Sequence, residues 1–139
     1  MIFKLDQRLQ NDSFFVYKLP LTKGRLINDR QFICWVLIQE INNVTEILEL
    51  NEAQQAALWK ESAMLSRALK KGFHPDKLNV AAIGNIVAQL HIHHLCRFKV
   101  DIAWPAPVWG RQPMVGYDEN KHGVLSEKIG KLLQEQQSL

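Results

Sequence analysis

The stretch Gln89-Leu90-His91-Ile92-His93-His94-Leu95 alternates polar side chains with aliphatic ones over most of its length. Successive side chains of a β-strand point to opposite faces of the sheet. The alternation therefore predicts a strand with Gln89, His91 and His93 on one face and the intervening aliphatic residues in the core behind them. Two imidazoles and an amide on a rigid strand are typical of a preorganised site for an anion.

The surrounding sequence predicts further strands, because β-branched and aromatic residues cluster there between turn residues. These predicted strands are 14–19, 25–28, 32–39 and 78–83. The segment 32–39 is almost entirely apolar, which is typical of a strand in the middle of a sheet, buried on both faces. Gly24 is expected to form a turn, and Gly84-Asn85 is expected to join 78–83 to the histidine strand as a hairpin.

Helical spacing of apolar residues predicts one long helix, with Asn51 as its N-cap and Gly72 as its stop after Lys71. A short helix within 3–10 and an amphipathic helix from about Leu125 to Gln136 are also expected, with a proline-rich loop before the latter. This order of elements predicts an α+β fold, in which an antiparallel sheet of about five strands carries the long helix.

The length of 139 residues suits a single domain, 1–139, with a core of about 14–110 followed by a C-terminal loop and helix, 111–139. The net charge of +3 is far below the basic stripe of a duplex binder, so no nucleic acid polymer is expected as a partner. No apolar run reaches the roughly 20 residues that span a bilayer, and early charges argue against a signal peptide. We expect a cytoplasmic protein with no membrane partner, and Cys34 and Cys96 as reduced thiols.

The histidines suggest phosphorus chemistry. Imidazole titrates near 6.5, so it can act as a nucleophile, an acid or a base at neutral pH. Attack on phosphorus would form a phosphoramidate that water later cleaves, while a neighbouring imidazolium would stabilise the developing charge. A metal site is the less favoured alternative, because His94 and Cys96 fall on the face opposite His91 and His93. His94 is expected at the surface or at an interface.

Four polar residues are candidates for binding a nucleotide. Asn28 and Asp29 follow a predicted strand, where they form either a turn or, through the Asp29 carboxylate, an acceptor for ribose hydroxyls. Asn79 and Asn85 flank the predicted hairpin and can donate amide hydrogens to a phosphate.

Three further residues have more than one interpretation. Arg97 is either a solvated strand-end residue, the favoured interpretation, or a phosphate ligand. Trp104 and Trp109 belong to the proline-stiffened loop, where they either stack on a base, line a subunit contact or simply pack.

With these residues identified, the chain resembles the histidine triad (HIT) family of nucleotide-binding hydrolases and transferases. The signature of that family is His-φ-His-φ-His-φ-φ on a strand, where φ is hydrophobic, and it corresponds here to residues 89–95. Residues 26–29 with 35–38 resemble the ribose-binding segment of the family, and Asn79 with Gly84-Asn85 its phosphate side. The likeness covers about 14–110 and extends to bacterial HIT-like proteins with Gln at the first triad position and a Trp-Pro-x-Pro-Val-Trp-Gly segment.

The resemblance implies a hydrolase that cleaves a nucleoside phosphate ester, anhydride or phosphoramidate at the α-phosphorus through a nucleotidyl-histidine intermediate. His91 would be the nucleophile, His93 would contact the phosphate and the leaving group, and Gln89 would support His91. The nucleotide would be bound by Asn28, Asp29, Asn79 and Asn85. The resemblance further implies a homodimer and no cofactor.

Two departures from the family pattern leave alternatives open. Gln89 replaces a histidine and cannot carry a proton as imidazole does, and Ile86 stands where many members have Ser or Thr near the phosphate. The chain is accordingly expected to be either the hydrolase described above, a nucleotide-binding module with weak or no catalysis, or a nucleotidyltransferase.

Overall fold

The computed structural model describes residues 2–110, 113–118 and 120–137. A 3₁₀ turn at Ile47–Glu49 precedes the second of three helices. In chain order the elements are α1 (Gln7–Asn11), β1 (Ser13–Lys18), β2 (Thr22–Ile27), β3 (Ile33–Gln39), α2 (Glu52–Phe73), β4 (Lys77–Ala81), β5 (Ile92–Arg97) and α3 (Lys121–Gln137). Within these residues no helix is long and apolar enough to cross a membrane.

The five strands form one antiparallel sheet in the order β1-β2-β3-β5-β4. The predicted α+β fold, with about five strands, one long helix and a C-terminal helix, is confirmed. As predicted, β3 lies in the middle, and every residue from Cys34 to Gln39 is buried. Its apolar character follows from this position, because both of its faces are covered.

The long helix α2 begins as predicted but ends later. Asn51 accepts a hydrogen bond from the Gln54 amide, and the Gln54 side chain accepts one from the Asn51 amide, so the two residues form a capping box. The predicted stop at Gly72 is wrong, because Gly72 lies inside the helix, where a Cβ would come within 3.1 Å of Leu132 in α3. His74 adopts the left-handed conformation that ends the helix, with φ 51°.

Two other local predictions differ from the structure. Gly24 lies within β2, and the turn comes earlier, where the Leu19 amide donates to the carbonyl of Thr22 at 2.8 Å. The predicted helix within 3–10 is α1, which starts only at Gln7; the residues before it are not helical.

The two faces of the sheet are covered differently. On one face α2 and α3 enclose the main core, which includes Leu26, Trp35, Leu65 and Ile129. The other face is covered in part by the leading segment (residues 2–11) and in part by the proline loop (residues 98–110). Between these two coverings the sheet face stays accessible, and the candidate site lies there.

Candidate functional site

The histidine strand begins later than predicted. Regular pairing with β3 starts at Ile92, because the Leu90 amide donates to the carbonyl of Val44 in the loop before α2. Gln89 and His91 therefore precede the strand, which corrects the prediction that they share a regular strand face with His93. The ring of His91 nevertheless lies beside that of His93, with centroids 4.9 Å apart and planes at 61°.

The tautomer of the neutral His91 ring is determined by one contact to the backbone. Its Nδ1 lies 2.7 Å from the carbonyl oxygen of Gln89. A carbonyl oxygen only accepts hydrogen bonds, so Nδ1 of the neutral ring carries the proton and Nε2 keeps its lone pair. The residue is 7% exposed and lines a cleft of about 220 Å³. This arrangement suits a nucleophile that attacks through Nε2.

His93 points into a separate cavity of about 270 Å³ and meets Trp109 edge-on, with centroids 5.6 Å apart. Burial, and then the neighbouring His91 and His94, lowers the pKa of His93 to about 4. His93 is therefore neutral at pH 7 and does not supply the imidazolium that the sequence led us to expect. It can still donate one hydrogen bond.

The cavity lies between the leading segment and the proline loop. Its apolar walls suit an aromatic base, and Asp29 lies at its edge. The Oδ1 atom of Asp29 accepts hydrogen bonds from the Gln31 amide, the Gln31 side chain and the Val115 amide. Among the described residues nothing bonds to Oδ2, which is free to accept from a ligand. The lining residues include Arg8, Leu9, Ile27, Asp29, Phe32, Cys34, His93, Leu95, Val108, Trp109 and Met114.

The other residues predicted to bind a nucleotide do not line this cavity. Asn28 accepts from the Tyr117 amide at 2.9 Å and so holds the segment before α3. Asn79 accepts from Arg97 at 2.9 Å. Asn85 is exposed in the loop between β4 and β5, where its side chain makes no hydrogen bond to any described residue. The side chain of Gln89 bonds to the leading segment, and only its backbone carbonyl contacts His91.

His94 is not a surface residue, so that expectation is wrong. Its Nε2 accepts from the Ser62 hydroxyl of α2 at 2.7 Å, and its Nδ1 donates to the carbonyl of Ile92 at 3.1 Å. His94 and Cys96 do lie on the face opposite His93, as predicted. Within the described part of the chain, no group of three or more His, Cys, Asp or Glu residues could hold a metal ion. Cys34 and Cys96 are free and buried.

Arg97 has a structural role that sequence reasoning missed. Its side chain is only 2% exposed and forms an ion pair with Asp101, with 2.9 Å between Nε and Oδ2. It also donates to Asn79 and to the carbonyl of Ala106. Asp101 in turn accepts from three backbone amides of the proline loop. The pair therefore fixes the loop that carries Trp109. In the sequence, an Arg and an Asp four residues apart, just before the prolines, could have indicated this ion pair.

Comparisons with known proteins identify a matching family and similar solved structures over most of the chain. A family model described as HIT domain matches residues 8–100. A solved histidine triad protein from Marinobacter aquaeolei VT8 has 39% identity and a TM-score of 0.93, covering 97% of this chain and 98% of that one. One from Bradyrhizobium japonicum has 36% identity and a TM-score of 0.92, with coverages of 96% and 99%. No match was found among the curated proteins.

Proposed function

This chain belongs to the histidine triad family, whose members bind nucleotides, and from that premise we propose that it is a nucleoside phosphate hydrolase. It would cleave an ester, anhydride or phosphoramidate at the α-phosphorus through a nucleotidyl-histidine intermediate. The observation that carries the proposal is the 2.7 Å contact between His91 Nδ1 and the Gln89 carbonyl, which leaves Nε2 unprotonated beside a second imidazole.

The cavity would hold the nucleoside. Its apolar walls and Trp109 suit a base, and the Asp29 Oδ2 atom suits a ribose hydroxyl. In this proposal the α-phosphate would lie beside His91 and His93, whose ring centroids are 4.9 Å apart. Asn28, Asn79 and Asn85 have no such supporting geometry; of the four predicted nucleotide ligands, we retain Asp29.

The reaction would proceed in two displacements. His91 Nε2 attacks the α-phosphorus, the bond to the leaving group breaks, and the leaving group departs with its electron pair while His93 donates a hydrogen bond; an alkoxide or amide leaving group takes up a proton from the solvent, which the water of the second step returns. The Gln89 carbonyl stabilises the positive charge that forms on the His91 ring. Water then attacks the same phosphorus, which releases a nucleoside monophosphate and restores neutral His91.

The test is phosphorus NMR of the protein with adenosine phosphoramidate and diadenosine polyphosphates, beside His91→Ala. We expect His91→Ala to lower turnover by about three orders of magnitude or more, since it removes the nucleophile. Acid-quenched wild type should carry a nucleotidyl adduct by mass spectrometry, and His91→Ala should not. The matched control is His74→Asn, at the exposed end of α2, which should react as wild type does.

The other possible outcomes either reject this mechanism or indicate a different function. Equal turnover by His91→Ala and wild type would show that the mechanism is wrong. Nucleotide binding without turnover in wild type would favour a binding module, and turnover only after a sugar phosphate is added would favour a nucleotidyltransferase.

We also propose a homodimer formed through β4 and α2. β4 is an edge strand of the sheet, and Val80 on it is 42% exposed. Trp59 of α2 is 52% exposed. Residues 57, 60, 64, 67 and 71 line the groove between α2 and α3, so helical periodicity places Trp59 on the side of α2 away from α3. An open strand edge beside an exposed tryptophan is typical of a surface that pairs with a second copy.

A further inference from the structure

The leading segment is bound to the rest of the fold by two side-chain amides. Asn42 donates to the carbonyl of Ile2 and accepts from the amide of Lys4. Gln89 donates to the carbonyl of Lys4 and accepts from the amide of Asp6, at 2.9 and 2.8 Å. The two side chains thus bond to the backbone of alternate residues, Ile2, Lys4 and Asp6, as a neighbouring strand would. Both polar atoms of the Gln89 side chain, at the first triad position, bond to this segment.

The same segment carries Arg8 to the cavity. Arg8 lines the cavity, and its guanidinium is fixed by two bonds to the Asp6 carboxylate and one to the carbonyl of Ile86. The next residue, Leu9, is 5% exposed and packs with Val36 and Ile38 of the sheet. A guanidinium has more N–H donors than these three bonds use, so some remain for a ligand.

The positive charge of Arg8 would suit a negatively charged ligand in this cavity. Among the described residues that line the cavity, Arg8 is the only lysine or arginine. The α-phosphate of a nucleotide brings negative charge to a partly buried site, where an uncompensated charge is costly. His93 is neutral there, so it does not compensate that charge in the free protein. Arginine suits phosphate because its planar donors match two phosphate oxygens.

We propose that Arg8 binds the phosphate of the substrate and that Gln89 is a positioning residue, which holds the leading segment so that Arg8 reaches the cavity. The proposal rests on the proposed function for the identity of the ligand. It explains why an amide at residue 89 is compatible with this site: the side chain there bonds to the backbone of the leading segment and not to His91.

The first experiment measures equilibrium binding of AMP and of adenosine by titration calorimetry. AMP is the expected product, so no turnover interferes. We expect Arg8→Gln to weaken AMP binding by about tenfold or more, the range for a charge-assisted hydrogen bond, and to leave adenosine binding unchanged. The matched control is Arg67→Gln, an exposed arginine in the groove between α2 and α3, which should change neither affinity.

The second experiment tests the positioning role. Gln89→Leu removes both bonds to the leading segment at similar side-chain volume. It should weaken AMP binding in the same way as Arg8→Gln, and the double variant should lose no more than Arg8→Gln alone, because both changes remove one contact. The amide of Asp6 should exchange its hydrogen faster in Gln89→Leu than in wild type.

The outcomes separate this proposal from the proposed function. Unchanged AMP binding in Arg8→Gln, or an equal loss of AMP and adenosine binding, would overturn the role of Arg8. Fully additive losses in the double variant would overturn the role of Gln89. A loss of AMP preference in Arg8→Gln, with no turnover by wild type, would keep the phosphate site and reject the hydrolase.

Discussion

His93, half-buried, and His94, buried, are adjacent on opposite faces of the sheet, and both disfavour a proton. Burial lowers the pKa of His94 to about 4, as it does for His93. In the unfolded chain each ring titrates near 6.5, so between pH 6.5 and 4 the unfolded state binds protons that the folded state does not. Stability should therefore fall as the pH is lowered through this window, by up to about 1.4 kcal/mol per pH unit for each histidine.

Urea unfolding at intervals between pH 7 and 4.5 measures this slope. The carboxyl groups with lowered pKa, such as Asp101 with a pKa of about 2, lose their contribution at more acid pH. His94→Gln should have a clearly shallower slope whatever its stability at pH 7, and His74→Asn, at an exposed position, should keep the wild-type slope. A free energy of unfolding that stays constant from pH 6.5 to 4.5 would contradict the prediction.

At the residue scale, the sequence predicted which histidines lie together but not which residues they and their neighbours contact. The pair of His91 and His93 was recognisable, because an alternating pattern on a short segment needs only local geometry. The hydrogen bonds of Arg8 to Ile86 and of Gln89 to the leading segment were not, because they join residues more than 75 positions apart. A residue's partners at such separation follow from the fold and not from its neighbours in sequence.

The proline loop forms one wall of the cavity, and Arg97 and Asp101 bond to its backbone. Both side chains are less than 10% exposed. Asp101→Asn would leave the Arg97 guanidinium buried without a counter-charge, which costs about 3 kcal/mol. We expect this loss in the free energy of unfolding by urea, together with weaker binding of adenosine because Trp109 is no longer held over the cavity.

Asp118→Asn is the matched control, because the Asp118 carboxylate is 62% exposed and contacts Arg30 and Lys121 on the surface. Its stability should stay within about 0.5 kcal/mol of wild type. If Asp101→Asn were as stable as Asp118→Asn, the ion pair would not be what orders the loop.

Elements whose signals are local were predicted well. The capping residue of α2, the apolar run of β3 and the helical spacing of α3 each determine an element within its own sequence. The errors lie where packing overrides a local preference. Gly72 lies where α3 approaches closely rather than at a helix end, and residues 89–91 leave the sheet because Leu90 bonds to Val44.

The molecule has an open edge strand, β4, next to the exposed Trp59. Sequence periodicity and composition do not indicate whether a partner binds there. If the proposed homodimer forms there, Val80→Lys and Trp59→Lys should each shift the protein to a monomer, because a buried lysine without a partner is strongly unfavourable. Sedimentation equilibrium at several concentrations measures this. Val124→Lys is the control, since Val124 is 71% exposed on α3 and should leave the assembly unchanged.

The same variants test whether assembly matters for the site. β4 pairs directly with β5, with Ala81 opposite His93, so a partner along β4 would stiffen the strand that carries His93. We therefore expect the Val80→Lys monomer to keep its fold by circular dichroism but to bind AMP more weakly than the dimer. A wild-type protein that sediments as a monomer at all concentrations would reject the interface, while the chemistry proposed for His91 would still be tested by its own variant.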